Sequence, residues 1–167
     1  MHSKIQRLVS SALMTALVCV ATVVIRIPSP MKGYVNLGDG MVLASGWLLS
    51  PGYGFLAAAL GSALADVFAG YVIYAPATFL IKGGMALIAA VFTKIPKNDG
   101  KSILSQLIGG VLAETVMMLG YFAFEWILYG VAAAAINLPA NLAQAVAGLI
   151  VGIIAARLFE RMRVFPK

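Results

Sequence analysis

The sequence predicts an all-α protein that is embedded in a membrane as a bundle of six transmembrane helices. Of its 167 residues, 62% are hydrophobic and only 11% are charged, whereas about a quarter of the residues of a soluble domain are charged. The mean hydropathy of +0.97 agrees with this composition. Long apolar runs alternate with short polar or Pro/Gly segments, which is typical of successive membrane spans. We therefore expect a multi-pass cell-membrane protein in which residues 1–167 form a single transmembrane domain.

The first predicted helix covers residues 8–25, and it ends before Pro28 and Pro30, which cannot continue a helix. A basic start followed by an apolar run can mark a signal peptide. Here, however, no small-residue cleavage site follows the run, so we interpret it as a retained helix. Residues 31–37 are expected to form a loop.

The second apolar run, residues 41–50, is short and is closed by Pro51 and Gly52. Even if it began at Gly38, it would extend only about 20 Å at 1.5 Å per residue, less than a hydrocarbon core of about 30 Å. It would therefore cross the membrane only with help from the loop before it. Four longer helices are predicted to follow, over residues 53–69, 75–92, 103–129 and 138–158.

The basic residues predict the orientation. Six spans place both termini and the loop between the fourth and fifth helices on one side, which then carries Lys4, Arg7, Lys94, Lys97, Lys101, Arg157, Arg161, Arg163 and Lys167. The other side carries only Arg26 and Lys32. Because cytoplasmic loops are rich in Lys and Arg, both termini are expected in the cytoplasm. The net charge of +6 is explained by this placement, so no nucleic-acid partner is expected.

Three predicted helices carry polar residues at helical spacing along one face. These stripes are Thr78, Lys82 and Met85 in the fourth helix, Glu114, Met118, Tyr121 and Glu125 in the fifth, and Asn137, Asn141, Gln144 and Gly148 in the sixth. Polar faces are costly against lipid, so the stripes should face the interior of the bundle. Their depths converge on its outer half, which predicts a pocket there, covered by residues 31–37.

Lys82 is the most informative residue, because an ionisable group at membrane depth costs about 2.5–3.5 kcal/mol and marks a functional-site hypothesis. It could contact a ligand, and it could form an ion pair with Asp66, which lies at a similar depth on the preceding helix. Asp39 is expected to be the N-cap of the second helix. Glu114 lies deeper, where it could be protonated or hydrogen-bonded to a neighbouring helix.

Few residues could support enzyme chemistry. The one histidine, His2, lies in the N-terminal tail, and Cys19 is the one cysteine. Glu114 and Glu125 lie about 16 Å apart along one helix, too far for paired acid–base work on a single bond. The sequence also has no P-loop. An enzyme, a catalytic residue, a metal site and a cofactor are therefore not expected.

Three segments in order resemble the substrate-binding S component of energy-coupling factor (ECF) vitamin transporters, in the riboflavin-transporter-like group. They are Asn-Leu-Gly-Asp-Gly from Asn36, Gly-Ser-Ala-Leu-Ala-Asp ending at Asp66, and Tyr-Ala-Pro-Ala-Thr-Phe-Leu-Ile-Lys-Gly from Tyr74. The resemblance extends over nearly the whole chain. It implies a subunit that captures a small vitamin or precursor from outside with high affinity. It also implies an ABC-type importer in which this subunit docks on a transmembrane coupling protein bound to two cytoplasmic ATPases.

The resemblance also implies where substrate binds. By position, the expected substrate-binding residues are Asn36, Thr78, Lys82, Tyr121, Asn141 and Gln144. Tyr74 is added to them, because its ring could stack on a flat ligand. The Ala-xxx-Ala pair of Ala12 and Ala16 would contact the coupling protein. Pyridoxine-like and hydroxymethylpyrimidine-like molecules and riboflavin are the leading ligands, with pantothenate behind them. The alternative is a stand-alone proton-coupled carrier or channel with Asp66, Glu114 and Glu125 as a relay.

Overall fold

The computed structural model describes residues 4–29, 34–94, 103–162 and 164–165, and this part of the chain contains six α-helices and two short strands. In chain order, the elements are α1 (Lys4–Val24), β1 (Arg26–Pro28), β2 (Tyr34–Asn36), α2 (Gly38–Leu48), α3 (Pro51–Phe68), α4 (Ala75–Lys94), α5 (Ile103–Tyr129) and α6 (Val131–Met162). The predicted all-α bundle of six helices is thereby confirmed, and α5 has the predicted bounds.

Five of the described helices are long and apolar enough to cross a membrane: α1, α3, α4, α5 and α6. The remaining helix, α2, has 11 residues and is therefore only about 16 Å long. As the sequence indicates, it is too short to cross a hydrocarbon core of about 30 Å by itself.

The segment between α1 and α2 differs from the predicted loop. β1 and β2 pair in an antiparallel hairpin in which Ile27 lies opposite Val35. The first helix ends at Val24, because Pro28 lacks an N–H and restricts the residue before it to extended backbone. Residues 31–33 of the predicted cover lie outside the described residues. Of the basic residues that predict the orientation, Lys32, Lys97, Lys101, Arg163 and Lys167 lie outside them.

The last helix, α6, begins at Val131 rather than at residue 138. Gly130, with φ +88°, is the only residue between α5 and α6. Residues 132–135 are all alanine, the strongest helix former, so helical structure resumes directly after this glycine. The helix continues through Pro139, so Asn137 and Asn141, which are four residues apart, lie on the same face of α6.

The short helix α2 lies at the centre of the bundle, where it packs against α1, α3, α4 and α6. Two glycines permit this close packing. A Cβ atom on Gly40 would lie 2.6 Å from the Val151 side chain of α6, and a Cβ atom on Gly46 would collide with the Ala86 carbonyl oxygen of α4. The first turn of α2 is consequently held inside the protein.

Small residues on the helices have different surroundings. A Cβ atom on Gly61 would lie 2.6 Å from the carbonyl oxygen of Thr15, and one on Gly152 would lie 3.1 Å from that of Gly40, so both glycines serve contacts within the bundle. Ala12 and Ala16 are instead exposed on the face of α1 that points away from the bundle, called here the outer face of α1.

Gly46→Ala should destabilise the protein by about 1–3 kcal/mol, because its methyl group has to displace the backbone of α4. Gly84→Ala is the matched control, since a Cβ atom there has no neighbour within 4 Å and alanine favours the helix. Thermal unfolding of the detergent-solubilised protein should show a lower midpoint for the first variant only. Equal midpoints for the two variants would contradict the close packing of α2 on α4.

Candidate functional site

A cavity opens at the end of the bundle where the β1–β2 hairpin lies. Its volume is about 410 Å³ when the open space at its mouth is included. The residues that line it are Ser29, Tyr34, Asn36, Asp66, Tyr74, Thr78, Tyr121, Glu125, Asn141 and Gln144. They come from the hairpin, the end of α3, the start of α4, the last third of α5 and the first half of α6, so the polar stripes converge as the sequence predicts.

The cavity brings together six of the seven expected substrate-binding residues, namely Asn36, Tyr74, Thr78, Tyr121, Asn141 and Gln144. Lys82 is not among the lining residues. Of the three carboxylates proposed as a relay, Asp66 and Glu125 line the cavity and Glu114 does not. Contact of these side chains with a ligand stays a prediction.

Lys82 forms its ion pair with Asp39 of α2. Its Nζ atom contacts Asp39 Oδ1, and the two side chains are 3% and 0% exposed. The predicted pair with Asp66 is therefore wrong, because the central position of α2 brings another carboxylate into contact with the lysine. The N-cap role expected for Asp39 is also wrong: Asp39 is the second residue of the helix, and its carboxylate points into the bundle.

Gln144 connects this ion pair to the hairpin. Its Nε2 atom donates to Asp39 Oδ2 at 2.7 Å, and its Oε1 atom accepts from the backbone N–H of Asn36 at 2.8 Å. Asn36 Oδ1 accepts in turn from the N–H of Gly38 at 2.8 Å, which satisfies one of the free N–H groups at the start of α2. A chain of polar contacts thus runs from Lys82 through α2 and α6 to β2.

Tyr34 holds the hairpin over the cavity. Its hydroxyl donates to Asp66 Oδ1 at 2.6 Å, and its ring lies 4.9 Å from the ring of Tyr71. The guanidinium of Arg26 lies 6.0 Å from the centre of the same ring. Burial, followed by the adjacent Asp66 carboxylate, raises the pKa of Tyr34, so its hydroxyl keeps its proton and acts as the donor.

Glu125 is held by neighbours on both sides. Its Oε1 atom accepts from the Tyr74 hydroxyl at 3.4 Å, and its Oε2 atom accepts from Asn137 Nδ2 at 3.0 Å. Asn137 was placed on the polar stripe of the sixth helix by its spacing, and this contact explains why that position is polar.

Tyr121 borders both the cavity and the buried lysine. Its hydroxyl lies 3.0 Å from Thr78 Oγ1, and the centre of its ring lies 5.3 Å from Lys82 Nζ, which is within cation–π range. The lysine is therefore enclosed by Asp39 and an aromatic ring, beneath the lining of the cavity rather than in it.

Glu114 belongs to the same buried region as the ion pair. It is 4% exposed, and its charged neighbours are Asp39 and Lys82. Its carboxyl group lies next to that of Asp39 on the neighbouring helix α2, as expected for a contact between helices, although neither of its oxygens has a hydrogen-bond partner within 3.5 Å in the described ranges. Within those ranges there is also no group of three His, Cys, Asp or Glu residues that could hold a metal ion.

Three features of the site were missed by sequence reasoning: Ser29 and Tyr34 in the lining, and Asp39 as the partner of Lys82. A signal for Asp39 was present, because a lone lysine at membrane depth needs a carboxylate partner and Asp39 begins an apolar run. No comparable signal marked Tyr34, whose contact with Asp66 depends on how the hairpin folds back.

A polar cavity at one end of a helical membrane bundle favours the binding of a small molecule there. The chain belongs to the family of ECF-type riboflavin transporter S components, whose model matches residues 2–161. This confirms the resemblance seen in the sequence. The protein is therefore a multi-pass cell-membrane protein and a substrate-binding subunit of an ECF transporter, which associates with other components of that transporter.

Two individual proteins are similar to this chain. The chain is similar to a Pyrococcus woesei protein described as an uncharacterized protein in gap 3'region, with 40% identity over 136 residues that cover 81% of this chain and 88% of the relative. It is also similar to a solved structure, the S component of a bacterial ECF transporter, with a TM-score of 0.77 and 22% identity. That match covers 96% of this chain and 98% of the other, and it shows the shared fold.

Lys82→Met should lower the midpoint of thermal unfolding strongly, because it leaves the Asp39 carboxylate buried without its cation, a change that typically costs about 3–5 kcal/mol. The double variant Lys82→Met/Asp39→Asn removes both charges and should recover most of the loss. A single variant as stable as the wild type, or a double variant no better than the single one, would rule out a structural ion pair.

Proposed function

We propose that the protein captures a small water-soluble vitamin or vitamin precursor from outside the cell and delivers it inward as the binding subunit of an ABC-type importer. The observation that carries this proposal is the polar cavity under the hairpin. It opens at one end of the bundle, and the contacts among Lys82, Asp39 and Gln144 lie beneath it. A cavity with buried side-chain contacts beneath it suits the capture of a ligand.

Charge supports an orientation with the hairpin outward and both termini in the cytoplasm. Lys4 and Arg7 begin α1, and Arg157 and Arg161 lie near the end of α6, so these four residues lie at the end of the bundle away from the hairpin. Arg26 is the basic residue of the described hairpin. An excess of basic residues on one side favours the cytoplasm for that side.

The lining of the cavity suits a flat heterocycle. Tyr34, Tyr74 and Tyr121 contribute aromatic surface, and Asn141 and Gln144 contribute amide groups. Pyridoxine-like and hydroxymethylpyrimidine-like molecules and riboflavin all combine a flat ring with polar substituents. We propose that Lys82 supports the site from below by holding Asp39 and does not contact the ligand directly.

The outer face of α1 is proposed as the contact with the coupling protein, which would be bound to two cytoplasmic ATPases. Ala12 and Ala16 are exposed one helical turn apart. Small residues on a helix surface let the backbone of a second membrane helix approach closely. The sequence contains no P-loop, so the energy for delivery would come from the ATPases.

A stand-alone carrier with a relay of carboxylates has less support. Asp66 and Glu125 are held by Tyr34 and Asn137, respectively, at the cavity. Glu114 has no hydrogen-bond partner in the described part of the chain, so no chain of hydrogen bonds there joins it to the other two acids.

The purified protein should carry a small heterocyclic molecule at close to one per chain, because S components are proposed to bind with high affinity. Mass spectrometry of small molecules released by denaturation identifies it, and titration of the emptied protein measures its affinity through the fluorescence of Trp47 and Trp126. Recovery of no ligand, together with no binding of any vitamin tested, would contradict the proposed function. Uptake into liposomes by this chain alone, without an ATPase partner, would favour the carrier instead.

Ala16→Phe should abolish most uptake by the assembled transporter while leaving ligand affinity unchanged, since its bulk would hold a partner helix away from α1. Ile150→Phe is the control, because it places the same side chain at an exposed apolar position on α6. Uptake into cells and binding by purified protein measure the two effects. A loss of ligand affinity in Ala16→Phe as large as its loss of uptake would contradict a role of this face in partner contact alone.

A further inference from the structure

Two carboxylates face the cavity, and both are used as hydrogen-bond acceptors. Asp66 and Glu125 are lining residues, and each is 4% exposed. The Tyr34 hydroxyl donates to Asp66, and the side-chain amide of Asn137 donates to Glu125.

No basic side chain balances these two acids in the described lining of the cavity. Lys82 is near enough to interact electrostatically with Asp66, but it is already paired with Asp39 and has Glu114 as a second acidic neighbour. Arg26 lies over the ring of Tyr34, and it is not a lining residue either. The described walls of the cavity are therefore acidic, even though the whole chain has a net charge of +6.

Two buried polar atoms at the cavity have no hydrogen-bond partner within 3.5 Å among the described residues: Asp66 Oδ2, an acceptor that the Thr78 hydroxyl approaches, and Asn141 Nδ2, a donor. Their side chains are 4% and 9% exposed. Buried polar groups are almost always satisfied in a functional state, and a ligand can supply what the protein does not. The missing groups are a donor for Asp66 and an acceptor for Asn141.

We infer that the cavity selects a flat heterocycle that is cationic, or neutral with an N–H or O–H donor, and that it rejects anions. The donor or positive charge would face Asp66 and Glu125, and a ring nitrogen or carbonyl oxygen would accept from Asn141. This inference rests on the proposed function of the cavity as the ligand site. It separates the vitamins by charge: pyridoxine, aminopyrimidines and riboflavin fit, whereas pantothenate and phosphorylated vitamins do not.

Matched pairs of ligands that share a ring test the inference directly. Suitable pairs are pyridoxamine and 4-pyridoxate, nicotinamide and nicotinate, and riboflavin and riboflavin 5′-phosphate, titrated by calorimetry into the ligand-free wild-type protein. In any pair that binds, the cationic or neutral member should bind about 100-fold more tightly, because a like charge buried beside two carboxylates is strongly disfavoured. Equal or tighter binding of an anion would overturn the inference.

The outcomes also separate this inference from the proposed function. If no pair binds but a ligand is released from the purified protein, the charge of that ligand decides: a cation or a neutral donor supports the inference, and an anion overturns it. If nothing binds and nothing is released, the proposed function fails, and the inference that rests on it is withdrawn with it.

Variants identify which carboxylate sets the preference. Asp66→Asn and Glu125→Gln should each reduce the ratio of cation or donor affinity to anion affinity about tenfold or more, since each removes one negative charge from the lining. Glu114→Gln is the matched control, because it removes a buried carboxylate of α5 that does not line the cavity. If Glu114→Gln lowers this affinity ratio as much as the lining variants do, the preference is set by the general charge of the interior and not by the lining. Thermal midpoints verify that each variant is folded.

Discussion

The buried ion pair between Lys82 and Asp39 is the interaction on which the rest of the site depends. A lysine at membrane depth needs a carboxylate partner, since a lone charge there costs several kcal/mol. The partner comes from the first turn of α2, a helix too short to cross the membrane, and Gly40 and Gly46 let that helix pack between α6 and α4. The shortest helix and the most costly charge of the sequence are thus explained by the same contact.

The ion pair acts on the cavity from below. Asp39 accepts a hydrogen bond from Gln144 with its second oxygen, and Gln144 in turn accepts one from the backbone N–H of Asn36. The position of β2 therefore depends on the ion pair through the side chain of Gln144. Tyr34 of the same strand then reaches Asp66 across the cavity. Because the lysine is used in this support, the ionisable groups left in the described lining are acids and tyrosines, which is why the proposed ligand is a donor or a cation.

Much of the fold could be predicted because its signals are local. Apolar runs gave the spans, and the spacing of Thr78, Glu125 and Asn141 placed three helix faces around one cavity. The pairing of charges could not be predicted in the same way. Depth along consecutive helices favoured Asp66 as the partner of Lys82, but the choice depends on where α2 lies among the other helices, which periodicity does not encode. The β1–β2 hairpin and the early start of α6 were missed for a similar reason, because three-residue strands and an alanine run carry no strong periodic signal.

An experimental structure of the protein with its co-purified ligand tests the central claim most directly. The account predicts density for the ligand under the hairpin, in contact with Asp66 and Asn141, while Lys82 stays paired with Asp39. A ligand bound elsewhere, or a Lys82 side chain that leaves Asp39 to contact the ligand, would contradict it.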